Sequence, residues 1–307
     1  MKLSIVTTLY CSAAHVIEFY RRATAVAQKL AGEDYEMVFV NDGSPDDGLK
    51  ILLEATRDDG HVVAVDLSRN FGHHRAMMTG LAQARGDKVF LIDSDLEEEP
   101  EWLPTFDEEM VRLNSDVVYG IQERRKGQLF EVWSGHLFYK LFNLITSIQL
   151  PESITTARLM NHAYVKALLQ HQEREIFIAG LWHLTGFQQS PFLVKKHQTS
   201  ATTYTLRKKI ALFVNAVTSF SSAPLQAIFY LGLAILALSV VYTLYIIVHR
   251  VFFLTTVSGW TSVIASVWLL GGSIMSSIGV VGIYLAKIYS EVKQRPYSIV
   301  RKIYSKE

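Results

Sequence analysis

Along the first hundred or so residues, short runs rich in Val, Ile and aromatic residues alternate with stretches whose apolar positions recur at helical spacing. Residues 2–9, 35–40, 61–66 and 88–92 read as strands, and residues 15–30, 75–84 and 100–114 read as helices between and after them. Strands that alternate with helices imply an α/β fold with a mostly parallel sheet covered on both faces. In such sheets ligands sit at the carboxyl ends of the strands, so the residues that follow each strand are the ones to inspect.

The pattern changes further on. Phe130, Trp133, Leu137, Phe138, Leu141, Phe142 and Ile145 fall on one helical face, which suits core packing and membrane contact equally. Residues 205–222 open with Arg207, Lys208 and Lys209 and continue with Leu212, Phe213, Val217 and Phe220, the pattern of an interfacial helix. Residues 225–248 and 260–286 are apolar runs without Lys, Arg, Asp or Glu. Each exceeds the roughly 20 residues needed to cross a bilayer. The short loop between them makes a helical hairpin with both chain ends on one side. Basic residues flank the hairpin (Arg207, Lys208 and Lys209 before it; Lys287, Lys293, Arg295, Arg301, Lys302 and Lys306 after it), whereas the loop carries Arg250. The positive-inside rule then places the folded domain and the tail in the cytosol. The expected organisation is a domain at 1–204, a juxtamembrane helix at 205–222, a transmembrane hairpin at 223–290 and a cytoplasmic tail at 291–307.

Composition narrows the class. Half of the 307 residues are hydrophobic, in keeping with a part of the chain that lies in lipid. A net charge of +1, with no basic stripe, argues against nucleic acid as a partner. The single cysteine, Cys11, excludes an internal disulfide and a Cys-based zinc site and fits a reducing compartment. The N-terminal apolar stretch is short and β-branched, unlike a signal-peptide core.

The residues after the strands are polar and acidic. The strand at 88–92 ends in Asp93-Ser94-Asp95, two carboxylates one residue apart, followed by Glu97. Mg²⁺ or Mn²⁺ held by one or two carboxylates together with substrate phosphates would suit Asp93, Asp95 and Glu97, although a solvated turn fits the same string. Glu98, Glu99 and Glu101 read as an acidic helix start that complements the macrodipole. The strand at 35–40 runs into Asn41-Asp42-Gly43-Ser44, where Asp42 could accept from a nucleobase or ribose and Gly43 allow close backbone approach, or where an ordinary Asp-Gly turn could stand. After the third strand, Arg69 lies just ahead of a helix start, which suits phosphate. His73 and His74 are adjacent, project in different directions and lack an evident third metal ligand. Arg124, Arg125 and Lys126 precede the amphipathic stretch and Arg158 follows it, placed for a lipid phosphate or for anionic head groups.

Taken together, SIVTTLY, NDGSPDDG, LSRNFGHHRAMMTGLAQARGD, DSDLEEEPEWLP and Arg158-Leu159-Met160 resemble the family 2 inverting glycosyltransferases of GT-A fold. With the hairpin, the likeness narrows to the polyprenyl-phosphate glycosyltransferases related to dolichol-phosphate mannose synthase. That resemblance implies transfer of a sugar from a nucleotide-diphosphate donor, UDP by default, to a polyprenyl phosphate at a bilayer, the bacterial inner membrane by default. It implies nucleotide contacts at Thr7, Leu9, Tyr10, Asp42, Gly43, Arg69, Asp93 and Ser94. Metal and catalytic roles fall on Asp93 and Asp95 with Arg158, and acceptor-phosphate contacts on Arg124 and Arg125. Homo-oligomerisation stays open. The chain departs from the family pattern at Cys11, Ser12, Glu97, Thr156 and Ala179, where donor sugar and phosphates are expected. An alternative reading is a family 2 enzyme with another lipid or glycan acceptor, or a silent membrane nucleotide-sugar-binding protein.

Overall fold

The computed structural model describes residues 1–122, 140, 145–146, 151, 153–174, 176–196, 214, 217–253 and 259–306. Elements are numbered among these. The strands are β1 (Leu3–Leu9), β2 (Tyr35–Asn41), β3 (Val62–Leu67), β4 (Lys88–Leu91), β5 (Val117–Gln122), β6 (Ile154–Asn161), β7 (Gln189–Val194) and β8 (Val300–Ser305). The helices are α1 (Val16–Ala31), α2 (Gly48–Ala55), α3 (His73–Leu81), α4 (Trp102–Leu113), α5 (His162–Leu168), α6 (Ile178–Leu184), α7 (Ala223–Phe253) and α8 (Trp260–Val292).

The eight strands form one sheet in the order β7-β5-β6-β4-β1-β2-β3-β8. Strands β3, β2, β1 and β4 run parallel, as the alternation of strands and helices requires. Strand β6 is antiparallel to both β4 and β5, and β7 joins β5 in parallel. Every residue of β1, β2 and β3 is buried, because helices cover both faces. On one face Leu3, Ile5 and Leu9 pack with Phe19 of α1, Leu52 of α2 and Phe106 of α4. On the other, Val6, Val38 and Val40 pack with Met77 of α3, Val165 of α5 and Leu181 of α6. Helix α3 lies very close to the sheet: a Cβ on Gly80 would sit 2.6 Å from Val6 Cγ1. That approach holds the first residue of α3, His73, over the ends of β1 and β4.

The end of the chain departs from the expectation. Residues 291–307, read as a tail, contain β8, which returns from the hairpin and pairs antiparallel with β3. Ser68 N–H donates to Ile299 O at 2.9 Å, and Arg301 reaches Asp66 at 3.3 Å and Ser68 O at 2.6 Å. With Arg301 and Lys302 these six residues look like a tail, yet the strand is largely exposed while Tyr304 packs against the core, which suits an edge strand, where charge is tolerated.

Of the stretch read as an interfacial helix, residues 214 and 217–222 are described. Val217 is buried and Phe220 meets Phe177 edge-on, their centroids 5.8 Å apart, so this stretch packs on the α/β domain. Residues 205–213, and most of the amphipathic stretch at 130–148, lie outside the described residues. Helices α7 and α8 each contain a window long and apolar enough to cross a membrane, Ala223–Tyr242 and Leu269–Val292. Their 31 and 33 residues give lengths of about 45–50 Å, against a hydrocarbon core of about 30 Å.

Candidate active site

Four loops converge at the carboxyl ends of β1, β2, β3 and β4, and hydrogen bonds between loops fix their arrangement. Asp42, after β2, accepts from Phe71 N–H at 2.7 Å and Gly72 N–H at 3.0 Å, which ties its loop to the one after β3. Burial raises its carboxyl above the usual range even against those two donors. Cys11 N–H donates to Ser44 Oγ at 2.8 Å and Ala13 N–H to Asp46 at 2.7 Å, so the β1 and β2 loops are joined too. Ser94 Oγ donates to Thr8 O at 2.7 Å, joining the β4 loop to β1. Cys11 and Leu96 both adopt positive φ, 53° and 61°. Such backbone in non-glycine residues is uncommon and collects at functional loops.

Asp93 and Asp95 lie side by side in differing surroundings. Burial opposes ionisation of Asp93, but His73, Thr156 and Lys196 outweigh it and hold its carboxyl below the usual value. His73 Nε2 stands 3.2 Å from Asp93 Oδ1, while its Nδ1 meets Thr8 Oγ1 at 3.1 Å. Burial works against a charged His73, yet Asp93 prevails and raises the imidazole. Asp95 is pushed up by burial and by the charges of Asp93 and Glu97, although its Oδ1 accepts from Glu97 N–H at 3.0 Å. Asp93 Oδ1 is buried without an aligned hydrogen-bond donor. A buried carboxylate oxygen with spare acceptor capacity, beside a second carboxylate, fits a hard divalent cation shared with substrate phosphates. Among the described residues no three metal-ligating side chains converge.

The remaining sequence expectations divide. Glu97 pairs with Lys196, 3.1 Å away, and its charge is felt at Asp95. Glu98, read as part of an acidic helix start, is fully buried and accepts from Thr156 N–H at 3.0 Å and Ala157 N–H at 2.7 Å. These two bonds pin the Asp93–Asp95 loop to β6. Burial and the nearby Asp93 charge push the Glu98 carboxyl up to about 7, with Lys196 opposing. Thr7 and Leu9 lie inside the sheet, whereas Tyr10 is open to solvent. Arg69 is exposed, over the ring of Phe71. Arg158 is 1% exposed, which places it beneath the loops. Its guanidinium lies over the Trp182 ring, lines a cavity of about 410 Å³ with Tyr119 and Gln189, and is lowered by burial to about 9. Arg124, Arg125 and Lys126 fall outside the described residues. His73, Glu98 and Lys196 join the site through the fold; a histidine at a helix start after the third strand was the one signal available for any of them.

Comparison with known proteins identifies the family. The model of the family described as "Glycosyl transferase family 2" matches residues 4–169, more than half of the chain. A Mycobacterium tuberculosis protein named "Putative glycosyltransferases" is 50% identical over all of this chain and 90% of its own length. The Shigella flexneri SfII prophage-derived bactoprenol glucosyl transferase is 31% identical over 98% of each chain. The undecaprenyl-phosphate 4-deoxy-4-formamido-L-arabinose transferase of Pseudomonas fluorescens is 30% identical over 98% of this chain and 89% of its own. With the matched region spanning the loops after β1, β2, β3 and β4, the chain belongs to glycosyl transferase family 2.

Proposed function

We propose that this protein transfers a sugar from a nucleotide-diphosphate donor to a polyprenyl phosphate at a membrane surface, with inversion and without a covalent enzyme intermediate. One observation carries the reading. The strand that leaves the apolar hairpin, β8, is bonded to β3, the strand that feeds the Ser68–Gly72 loop against Asp42. Donor loops and membrane anchor are thus one hydrogen-bonded unit, which supplies proximity between a soluble donor and a lipid acceptor. The names of the Shigella and Pseudomonas relatives point to the same acceptor class.

In this reading Asp42 accepts from the nucleoside with its remaining lone pairs, and Gly43 lets the donor approach the backbone. Asp93 and Asp95 would hold Mg²⁺ or Mn²⁺. Such an ion supplies positive charge to the departing nucleoside diphosphate. His73 orients Asp93, and Glu98 with Lys196 fixes the loop that carries both aspartates. A lipid phosphate monoester loses its second proton near pH 6, so it attacks without a strong general base. The domain and both chain ends lie on the cytoplasmic side, by the distribution of basic residues around the hairpin.

The test incubates detergent-purified protein with Mg²⁺ or Mn²⁺, a panel of nucleotide sugars, and either polyprenyl phosphate or diacylglycerol, scoring glycolipid by mass spectrometry. The expected product appears with polyprenyl phosphate and one donor, and falls at least 100-fold in Asp95→Ala, given the size of effects from lost electrostatic stabilisation. Product on diacylglycerol alone would reassign the acceptor. Donor binding with no product would make the chain a binding protein.

A further inference from the structure

Where α8 ends and β8 begins, a cleft of about 310 Å³ opens between the hairpin exit and the loop after β3. Five cations line it: Arg69 from that loop, Arg75 from α3, Arg174, and Lys293 and Arg295 from the segment after α8. Among the residues that line it none is acidic. The nearby Glu291 is engaged by the Arg174 backbone, whose N–H donates to Glu291 Oε1 at 2.8 Å.

The cations are held in different ways. Arg75 is braced from within the protein, donating to Phe71 O at 3.2 Å and Arg174 O at 2.6 Å. Arg69 donates to Asn70 O at 3.0 Å. Arg174 keeps its Nε buried without a hydrogen-bond partner. Lys293 stands over the Tyr289 ring, 4.2 Å from its centroid. Five like charges around one small cleft repel one another unless an anion neutralises them. Arginine forks match the paired oxygens of phosphate. Tyr289 belongs to the last turn of α8, so the cleft sits where an apolar helix gives way to polar chain, the level of lipid head groups.

We infer that this cleft is a binding site for a phosphate-bearing anion, presented by a lipid head group or free in solution. The inference is independent of the transferase reading, because it needs neither the Asp93–Asp95 loop nor a sugar donor. It gives the chain an anion contact that couples the membrane exit to the loop after β3.

The experiment uses the full chain in zwitterionic detergent micelles. Calorimetry follows titration with dihexanoyl phosphatidic acid, with inorganic phosphate, and with dihexanoyl phosphatidylcholine as the control for partition into the micelle. The wild type is compared with Lys293→Gln/Arg295→Gln and with the charge-conserving Lys293→Arg/Arg295→Lys. Saturable binding of at least one of the two anions is expected, at least tenfold weaker after neutralisation and recovered in the charge-conserving pair, with none for phosphatidylcholine. Displacement of phosphatidic acid by inorganic phosphate would identify the phosphate group alone as ligand. A lack of displacement would identify the lipid head group. The inference is overturned if neither anion saturates the wild type, or if the neutralised pair binds as tightly as the wild type.

Discussion

Gly43 shows how much one backbone position carries. Its φ is +58°, and a Cβ there would meet Arg69 C at 2.3 Å and Asn70 N at 2.4 Å, both main-chain atoms that cannot swing aside. Gly43→Ala therefore forces the β2 and β3 loops apart. The expected outcomes are a stability loss of about 1–3 kcal/mol by denaturant unfolding, and at least tenfold weaker nucleotide binding by calorimetry. The Asp-Gly turn was legible in the sequence. Its reason was not, since the obstruction comes from a loop some 26 residues further on. Glu98 teaches the same lesson for charge. A run of glutamates before a helix reads as solvated, and nothing local says that one of them will cap two N–H groups of β6. Its folded carboxyl, pushed up to about 7, exceeds the ordinary value of 4.5. The folded state then keeps a proton that the unfolded state releases, so Glu98 contributes stability below about pH 4.5 and loses it as pH rises through about 7. Thermal melts of Glu98→Gln should show a flatter decline across that window, from a lower starting point, because an amide NH₂ cannot accept from the second N–H. A third prediction uses the single thiol. Cys11 is exposed on the β1 loop beside Ser44, so its alkylation by a maleimide should slow when nucleotide sugar is bound. An unchanged rate at saturating donor would place the nucleotide elsewhere.

At the scale of elements, the βα alternation through α4 was legible because β1, β2 and β3 are buried along their whole length and are spelled mostly in apolar and β-branched residues. The starts of α1 and α3 shift by only a residue or two from the periodic pattern. Helix α2 went unread because eight residues offer about two turns of periodicity. Strands β5, β6 and β7 build the antiparallel side of the sheet from mixed polar positions, such as Thr155 and Arg158, whose partners are distant in sequence. Strand β8 is the instructive miss, since six residues carry too little pattern to distinguish an edge strand from a basic tail. Its removal makes a specific prediction. A chain ending at Ile299 keeps the hairpin but uncovers the edge of β3. Amide exchange across Val62–Leu67 should rise, and the protein should aggregate more readily on heating, as unpaired edges do. Unaltered exchange in β3 would contradict the pairing.

On the scale of the whole molecule, the hairpin was legible from composition alone, yet its connection to the domain was not. Tyr284 in α8 donates to Ser221 O at 2.6 Å, Lys287 reaches Ser219 Oγ at 2.6 Å, and β8 closes onto β3. Removing everything beyond residue 222 therefore strips an edge strand as well as an anchor, and would confuse catalysis with folding. The cleaner measurement leaves the chain intact in nanodiscs of neutral lipid containing polyprenyl phosphate. It follows release of nucleoside diphosphate and formation of glycolipid together, for the wild type and Asp95→Asn. The account predicts one nucleoside diphosphate per glycolipid, no release when polyprenol replaces the phosphate, and loss of both products in the variant. Nucleoside diphosphate released without lipid phosphate, or glycolipid formed undiminished by Asp95→Asn, would contradict it.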